Sequence, residues 1–373
     1  MTTLDVLRTT KVFRSPRVMQ IEGIFDVPPT DFSEEKWHVD LDLPEKWNVG
    51  LVVGPSGSGK TTIARELWHL NMMPEFLWDP ECSILDRFPD MPVKEIVELL
   101  CSVGFSSPPH WLRPFRVLST GEQFRVNIAL LLATQPHLAV VDEFTSVVDR
   151  TVAQVASAAI AKTVRRRGQQ FIAVSCHYDI MEWLEPDWVY NTVHNATLRG
   201  SLWRRPTIQL TIFRSDKSAW PMFRKYHYLS RDLNPAAVCF IAMWKGRPVA
   251  FSSWLPFFGK GVHHARRGHR TVCLPDYQGV GIGTALNDWC AGYWKSHGER
   301  VFSTACHPAI IAHRKRSSLW KMTREPGLTA RDSKRGYQHA TTRFSASFEY
   351  IGGHNVADKG VRVQDMVGDR GEI

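Results

Sequence analysis

The chain has 373 residues, of which 43% are hydrophobic and 22% are charged, a composition that excludes disordered and fibrous proteins. Its seven cysteines are scattered without a CxxC pair, which argues against a disulfide framework or a zinc cluster and favours reduced thiols. The formal net charge of +9 is uneven: residues 1–205 carry a net −4, whereas residues 206–353 carry 22 Lys and Arg against 8 Asp and Glu. This asymmetry predicts that the second half meets an anionic ligand.

The most apolar parts of the chain are too short or too interrupted for a membrane span. The start, MTTLDVLRTTKVFRSPR, lacks the apolar core of a secretory signal. The run VNIALLLATQPHLAVV is broken by Asn, Gln, Pro and His. The sequence therefore predicts a soluble, cytoplasmic protein with no membrane partner.

The first 205 residues alternate between predicted strands and helices. The predicted strands are VMQIEGIFDV (18–27), WNVGLVVG (47–54), HLAVVDEF and QQFIAVSCH, and the predicted helices are TTIARELWHL, VKEIVELLCSVG and EQFRVNIALLLATQP. Short apolar runs of this kind are typical of buried parallel strands. We therefore predict an α/β domain with a parallel-sheet core over residues 1–205.

A phosphate-binding loop follows the second of these strands. GPSGSGKT (54–61) fits the pattern G-x-x-x-x-G-K-[ST] between a predicted strand and a predicted helix. Its glycines let backbone N–H groups surround phosphate oxygens, Lys60 reaches the β- and γ-phosphates, and the Thr61 hydroxyl binds Mg²⁺. The residues predicted to hold the nucleotide in this loop are Gly54, Gly57, Ser58, Gly59, Lys60, Thr61 and Thr62.

A second acidic motif, LAVVDEF (138–144), ends a buried apolar run with two carboxylates. An unpaired carboxylate at such a position is costly, so a functional role is favoured. We predict that Asp142 holds Mg²⁺ together with Thr61, and that Glu143 polarises the attacking water.

The order of five motifs resembles that of the ATP-binding-cassette (ABC) ATPases over about residues 18–205. The motifs are GPSGSGKT, LSTGE (118–122), VVDE (140–143), SVVD (146–149) and SCH (175–177). The resemblance implies ATP and Mg²⁺ as ligands, and it implies that His177 senses the γ-phosphate. It also implies a head-to-tail homodimer, because Ser119 and Gly121 then serve the ATP of the opposite protomer. Phe25 is a candidate for stacking on adenine.

Three features depart from the ABC pattern. The signature is LSTGE where LSGGQ is commonest, no Gln lies between Lys60 and Glu122, and only 82 residues separate Lys60 from Asp142. The missing glutamine puts the usual coupling to a membrane partner in doubt. The signature also has a purely structural interpretation, a helix start capped by Ser119 with Glu122 at the third position.

A domain boundary is predicted at RGSLWRRPT (199–207). Beyond it we predict a strand at 208–213, a hairpin in AVCFIAMWKGRPVAFSSWL with Gly-Arg at its turn, a strand in HRTVCLP, a helix in GTALNDWCAGYWKSHG, and strands in RVFSTACHP and TTRFSASFEYIG. The predicted domains are therefore 1–205 and 206–353, and the polar residues 354–373 are expected to form a loose tail.

A second glycine-rich loop, PDYQGVGIGTAL (275–286), follows a strand and opens a helix. Its backbone N–H groups would suit a pyrophosphate, and the absence of an acidic residue at the end of the next strand weakens a dinucleotide-fold interpretation. The pattern Q-x-x-G-x-G resembles the acetyl-CoA loop of the GNAT acyltransferases, a resemblance that covers about residues 208–352. It implies a mixed α/β domain that binds acetyl-CoA or another acyl-CoA through Gln278, Gly279, Val280, Gly281, Ile282 and Gly283.

The catalytic group of this second site stays open at the level of sequence. GNAT enzymes often use a Glu on the strand before the loop and a Tyr after the next strand, and HRTVCLP and AHRKRSSLWKM contain neither. Candidate bases are Asp276, His227, His264 and His269.

The second half also contains two basic segments, KGVHHARRGHR (260–270) and HRKRSSLWKMTR (313–324). Such segments are either solvated faces or phosphate contacts, so nucleic acid is a candidate partner. The leading hypothesis is an ATP-controlled acyltransferase. The alternative is an ATP-switched module that binds CoA or nucleic acid without acyl transfer.

Overall fold

The computed structural model describes residues 2–200, 203–227, 232–258, 262–328, 344–353 and 361–365. Its strands are β1 (Thr2–Lys11), β2 (Phe32–Leu41), β3 (Val49–Val53), β4 (Leu138–Val141), β5 (Gln170–Ser175), β6 (Trp188–Asn191), β7 (Ala196–Arg199), β8 (Ile208–Ser215), β9 (Val238–Trp244), β10 (Arg247–Pro256), β11 (Ala265–Cys273), β12 (Arg300–Ala305), β13 (Trp320–Leu328), β14 (Phe344–Tyr350) and β15 (Val361–Asp365). Its α-helices are α1 (Pro16–Phe25), α2 (Lys60–Trp68), α3 (Val93–Ser102), α4 (Pro108–Trp111), α5 (Thr120–Thr134), α6 (Arg150–Arg167), α7 (Met181–Leu184), α8 (Trp220–Phe223), α9 (Ile282–Ser296) and α10 (Pro308–Arg316).

The chain divides into two units whose boundaries interleave along the sequence. The first unit is Met1–Glu75, Gln135–Ser146 and Val164–Arg204, and the second is Phe76–Thr134, Val147–Thr163 and Arg205–Ile373. The signature motif and helices α3 to α5 therefore belong to the same unit as the C-terminal half.

The first unit is built on a five-stranded sheet in the order β4-β5-β3-β6-β7. The first four of these strands run parallel, and β7 is antiparallel to β6. All five residues of β3 are buried, as a parallel strand covered on both faces requires. Because parallel strands end at the same edge, the residues that follow β3, β4 and β5 come close together. This confirms the predicted parallel-sheet core.

The predicted strand at 18–27 was wrong, because those residues lie largely in α1. Ser15 caps this helix by accepting a hydrogen bond from the Val18 N–H at 3.4 Å, and Pro16 occupies its first position. A Ser-Pro pair is a helix-start signal that outweighs the apolar content of the run. The strands in this region are instead β1 and β2, which form an antiparallel pair.

The second unit contains an eight-stranded sheet in the order β13-β14-β12-β11-β10-β9-β8-β15. The pairs β11–β12 and β8–β15 are parallel and the others are antiparallel, so the sheet is mixed. The predicted hairpin is β9–β10, and its turn is formed by Lys245 and Gly246, both with positive φ (49° and 73°). Two consecutive left-handed residues match the right-handed twist of the strands.

Residues 361–365 correct the expectation of a loose tail. They form β15, which pairs in parallel with β8, with Val361 opposite Ile208. Both of these side chains are buried. A segment with alternating apolar residues gains a ladder of hydrogen bonds when it lies beside an open sheet edge. The polar residues around this segment hid the strand pattern at the level of sequence.

Gly50, in the centre of β3, is expected to be intolerant of any side chain. A Cβ at this position would lie 2.1–2.8 Å from three atoms of the Trp188 indole, which is fully buried. Gly50→Ala should therefore lower the free energy of unfolding by about 1–3 kcal/mol, the usual cost of overpacking a core. Urea unfolding followed by tryptophan fluorescence measures this change.

The matched control is Gly23→Ala in α1, where a Cβ would have no neighbour within 4 Å. That variant should be as stable as the wild type or slightly more stable, since Ala is the better helix former. Equal stability of Gly50→Ala and the wild type would contradict the packing described for β3.

Candidate functional site

The loop after β3 has the backbone that an anion-binding turn requires. Gly57 and Gly59 have φ values of 78° and 82°, in the left-handed region that favours glycine. Gly59 is the N-cap of α2, so the free N–H groups of the first helical turn lie at the loop. At Gly54, a Cβ would lie 2.0 Å from the Thr192 hydroxyl oxygen, and this leaves space for glycine alone.

The side chains of this loop are tied to neighbouring groups. The Lys60 ammonium donates to the Pro55 carbonyl at 2.7 Å, and the hydroxyls of Ser58 and Thr192 are 2.6 Å apart. The Thr61 hydroxyl donates to the Asp142 carboxylate at 3.1 Å. The structure thus brings together the two residues predicted to bind Mg²⁺, although they are 81 residues apart in sequence.

The turn after β4 carries Glu143 in a strained conformation. Glu143 has φ 50° and Thr145 has φ 69°, uncommon values for residues other than glycine. The turn is held by Phe144, whose N–H donates to the Val174 carbonyl at 2.8 Å and whose side chain is fully buried. Glu143 itself is exposed at the edge of the sheet, where a substrate could reach it.

His177 follows β5, the neighbour of β4, and Ser175 connects the two strand ends. The Ser175 hydroxyl donates to the Phe144 carbonyl at 3.1 Å and accepts from the His177 N–H at 3.1 Å. His177 is half-buried. Sequence analysis did not single out Ser175, because only the sheet order shows that it links these two motifs.

The aromatic residue beside the phosphate loop is Trp37 rather than the predicted Phe25. A Cβ at Gly59 would lie 2.3 Å from the Trp37 indole nitrogen, so the ring packs directly on this glycine. Phe25 lies on α1 and is 69% exposed. The spacing of Trp37, Val39 and Leu41 is the period of a half-buried strand and could have identified Trp37.

The signature residues start α5 with a reciprocal cap. The Ser119 N–H and hydroxyl both donate to the Glu122 carboxylate at 3.0 Å, and the Glu122 N–H returns a bond to the Ser119 hydroxyl at 3.4 Å. The other carboxylate oxygen of Glu122 lies 2.5 Å from Nδ1 of His110. At Gly121, a Cβ would lie 3.3 Å from a methyl of Val152, a close but adjustable contact.

The second glycine loop repeats the geometry of the first. Gly279 and Gly281 have φ values of 93° and 94°, and Gly281 is the N-cap of α9. Val280 and Ile282 are buried and anchor the loop between these glycines. At Gly283 a Cβ would make only an ordinary 3.4 Å contact with Cys273. The Gln278 side chain donates to the Cys273 carbonyl at 2.9 Å and accepts from the Ser106 N–H at 2.8 Å.

The four candidate bases lie on different elements of the second unit. Desolvation raises the pKa of Asp276, with the positive charge of Arg125 opposing it. Burial, together with the positive charges of Arg270 and Arg267, lowers the pKa of His269 to about 4. His269 accepts from the Asn234 N–H at 3.3 Å.

The other two candidates, His227 and His264, make contacts within the fold. His227 is 8% exposed, and its ring makes an edge contact with Trp220, with 5.8 Å between centroids. The carbonyl of His264 accepts from the Arg300 N–H at 2.8 Å. Among the four, Asp276 is the one that lies beside the glycine loop in sequence and has its pKa moved towards neutrality.

The chain is similar to known proteins over parts of its length. Residues 196–315 match the model of the Acetyltransferase (GNAT) family. Protein STAR1 of Oryza sativa subsp. japonica is 29% identical over 37% of this chain and 49% of its own length. The L-cystine import ATP-binding protein TcyC of Bacillus subtilis (strain 168) is 32% identical over 30% of this chain and 62% of its own length.

Among solved structures, a dimeric bacterial ABC transporter cassette, MJ0796, is 18% identical and covers 42% of this chain and 87% of its own, with a TM-score of 0.35. The chain spans about half to three-fifths of the length of the two curated relatives. The chain is thus similar in part to the ATP-binding protein TcyC, and its residues 196–315 match the acetyltransferase (GNAT) family model. Among the described helices, none is both long enough and apolar enough to cross a bilayer.

The capping box of the signature predicts a pH-dependent stability. Burial would raise the pKa of Glu122, but hydrogen bonds from His110 and Ser119 outweigh it and lower that pKa overall. A carboxylate with a lowered folded-state pKa stabilises the fold above its unfolded pKa of about 4.3, and this contribution is lost as the pH falls through the folded value. Glu122→Gln should therefore cost about 1–2 kcal/mol at neutral pH, because it removes the charge from the hydrogen bonds with His110 and Ser119, and less below about pH 4.

Urea unfolding of wild type and variant at neutral pH and at about pH 3.5 measures both values. The control is Glu81→Gln, which removes an exposed ion pair with Arg116 and should change stability little at either pH. A stability difference for Glu122→Gln that is the same at both pH values would contradict the assignment.

Proposed function

We propose that the first site binds and hydrolyses ATP with Mg²⁺. The hydrogen bond between Thr61 and Asp142 at the N-terminus of α2 is the observation that carries this proposal, because both groups are oxygen ligands suited to Mg²⁺. The left-handed glycines of the loop fit a polyphosphate, since they leave backbone N–H groups free to approach its oxygens.

Each remaining residue of this site has a chemical role in the proposal. Gly54, Gly57, Ser58, Gly59 and Thr62 surround the phosphates, and Lys60 exchanges its bond to Pro55 for phosphate oxygens. Glu143 accepts a proton from the attacking water, and His177 donates to the γ-phosphate. The bound Mg²⁺ would neutralise charge that develops on the phosphates.

The proposed active unit is a head-to-tail homodimer. Ser119 and Gly121 lie at the start of α5, where free N–H groups favour an anion, and one chain holds a single copy of each motif. Two copies of the chain would complete two ATP sites, each with the phosphate loop of one protomer and the signature of its partner.

For the second site we propose acyl transfer from acetyl-CoA or another acyl-CoA. The match to the acetyltransferase family and the glycine loop at the N-terminus of α9 support it. The loop residues from Gln278 to Gly283 would hold the pyrophosphate, and CoA would present the acyl group as a thioester. Asp276 is the proposed base, because its raised pKa brings it closer to the working range of a base.

The acceptor is proposed to be anionic, with nucleic acid as the leading class. The net charge of +14 over residues 206–353 supports it. The alternative function, binding of CoA or nucleic acid without acyl transfer, is favoured by the absence of the usual Glu and Tyr. Production of an acylated acceptor separates the two functions.

The ATP site is tested with two variants of opposite effect. Lys60→Ala should abolish Mg²⁺-dependent ATP binding, and Glu143→Gln should retain binding while hydrolysis falls by at least about 100-fold. In light scattering, ATP should convert the Glu143→Gln protein from monomer to dimer. Hydrolysis by Glu143→Gln at the wild-type rate would overturn the role of Glu143.

The control for the dimer is the double variant Glu143→Gln, Ser119→Arg. Its arginine would enter the phosphate site of the partner, so ATP should bind but should no longer produce dimers. A Glu143→Gln protein that stays monomeric at saturating ATP would contradict the composite site.

The acyl-CoA site is tested on the full chain with the first site saturated by ATP. The Glu143→Gln protein should bind acetyl-CoA in calorimetry, and adding Gly281→Asp should abolish that binding. The new carboxylate would sit at a left-handed position and repel the pyrophosphate. Failure of acetyl-CoA to bind would overturn acyl transfer.

The nucleic-acid proposal is tested separately by fluorescence anisotropy of labelled oligonucleotides. Binding should weaken steeply as the salt concentration rises, since phosphate contacts release counterions. If no oligonucleotide binds, a small-molecule or protein amine becomes the acceptor to examine.

A further inference from the structure

The second glycine loop is in direct contact with residues 104–106, which precede it by more than 170 positions. We call residues Gly104–Ser106 the covering segment. A Cβ at Gly279 would lie 3.0 Å from the Gly104 Cα and 2.8 Å from the Ala159 methyl. A Cβ at Gly104 would lie 2.8 Å from the Gln278 carbonyl oxygen. The two backbones therefore touch, and glycine is required on both sides of the contact.

Hydrogen bonds connect the covering segment to the residues that follow β11 and to those that follow β12. The Ser106 N–H donates to the Gln278 side chain at 2.8 Å, just after β11. The backbone of Ser106 also bonds to His307, which is 7% exposed and lies just after β12. Phe105, between these contacts, is 1% exposed, and its carbonyl accepts from the Trp111 indole at 3.0 Å.

The strands β11 and β12 provide the opening that the covering segment fills. The two strands pair in parallel only at Ala265–Arg267 with Arg300–Phe302, so no ladder of hydrogen bonds joins their carboxyl ends. In sheets of this kind, ligands bind beyond the carboxyl ends of parallel strands. The covering segment occupies this position and contacts the loop at Gln278 and Gly279.

The end of α3 fixes the shape of the covering segment. Gly104 has φ 91°, its N–H donates to the Cys101 carbonyl at 3.1 Å, and the Phe105 N–H donates to the Leu100 carbonyl at 2.9 Å. This pair of bonds is the Schellman ending of a helix. The covering segment is therefore a rigid extension of α3, and it moves when α3 moves.

A buried arginine connects the signature to this contact. Arg125 lies one turn after Glu122 on α5 and is fully buried. Its guanidinium donates to the Asp276 carbonyl at 3.3 Å, and its Nε lies 3.3 Å from the position of a Cβ on Gly104. The charged groups that act on it are Asp276, Glu122 and Asp149. A displacement of Ser119 and Glu122 would therefore be transmitted to both the covering segment and the loop.

We propose that the covering segment is an intramolecular gate over the acyl-CoA loop, and that ATP bound across the dimer opens it through the signature, Glu122 and Arg125. This inference rests on the proposed function, since it names the regulation of the same two sites. Without ATP, the gate excludes the pyrophosphate from Gln278 and Gly279. When the signature engages the ATP of the partner, α5 and α3 shift and the loop becomes accessible.

The test measures acetyl-CoA binding by calorimetry with the full-length Glu143→Gln protein, with and without ATP. Apparent affinity scales with the fraction of open protein, so ATP should tighten binding at least about 10-fold. Gly104→Ala, added to this protein, should give tight binding without ATP, because its Cβ would push the covering segment away from Gln278. Gly281→Asp should abolish binding. That loss would show that the heat measured in calorimetry comes from acetyl-CoA bound at this loop.

The matched control is Gly168→Ala. Gly168 also has a positive φ (66°), but a Cβ there would meet nothing within 4 Å, so it introduces the same kind of backbone strain away from the loop. It should leave the dependence of acetyl-CoA affinity on ATP unchanged. Thermal unfolding of Gly104→Ala checks that the variant is folded.

A second variant and a second observable test the connection without altering the gate itself. Arg125→Met preserves the bulk of the side chain and removes its charge, so the effect of ATP on acetyl-CoA affinity should be reduced or lost. Hydrogen exchange in a peptide that includes Ser106 should quicken when ATP binds the Glu143→Gln protein, because the amide loses its bond to Gln278.

The outcomes distinguish the gate from the function on which it rests. If acetyl-CoA binds equally well, or more weakly, with ATP, the gate is wrong and acyl-CoA binding stands. If acetyl-CoA binds neither with ATP nor in the Gly104→Ala variant, acyl-CoA binding is wrong and the gate falls with it.

Discussion

Both glycine loops depend on the same backbone constraint, a glycine in the left-handed region at the N-cap of a helix that follows a strand. Gly59 has φ 82° and ψ 4°, and Gly281 has φ 94° and ψ 0°. Side chains are strained at these angles, and a Cβ would obstruct the approach of an anion to the first N–H groups of the helix. The chain uses this device twice, once in each unit.

The surroundings of the two loops differ in kind. The first is lined by polar groups that can exchange partners, namely Lys60, Ser58, Thr61 and Asp142. The second touches another backbone at Gly279. Polar side chains can rearrange around an incoming phosphate at little cost, whereas two packed backbones must separate. This difference is the physical reason for proposing a gate at the second loop and none at the first.

The buried charge of Arg125 links the signature to the second glycine loop. Burying a charged guanidinium away from water costs free energy unless nearby groups of opposite charge compensate for the lost hydration. Burial lowers the pKa of Arg125, and the carboxylates of Asp276, Glu122 and Asp149 oppose that shift. Two of these carboxylates, Glu122 and Asp149, lie within residues 1–205, and Asp276 lies within the region that matches the acetyltransferase family model. Separating them would leave a buried cation without its compensating charges.

Much of the fold could be predicted from local signals. Local sequence patterns of a few residues predict several elements correctly. They are the strands β3, β4 and β5, the helices that follow both glycine loops, and the β9–β10 hairpin. The errors came where two signals competed. In α1 the Ser15-Pro16 start outweighed an apolar run, and in β15 a short alternating segment was hidden in a polar tail.

The sequence by itself determined the two strand–loop–helix turns, because the spacing of their glycines specifies where the chain can turn from a strand into the start of a helix. It also determined the asymmetry of charge, which is a property of composition. Only the tertiary structure decided which distant residues meet. Parallel pairing aligned Asp142 with Thr61, and the close approach of Gly104 and Gly279 placed the end of α3 on the second glycine loop. Such contacts depend on the packing of elements far apart in the chain, and no local pattern of residues encodes them.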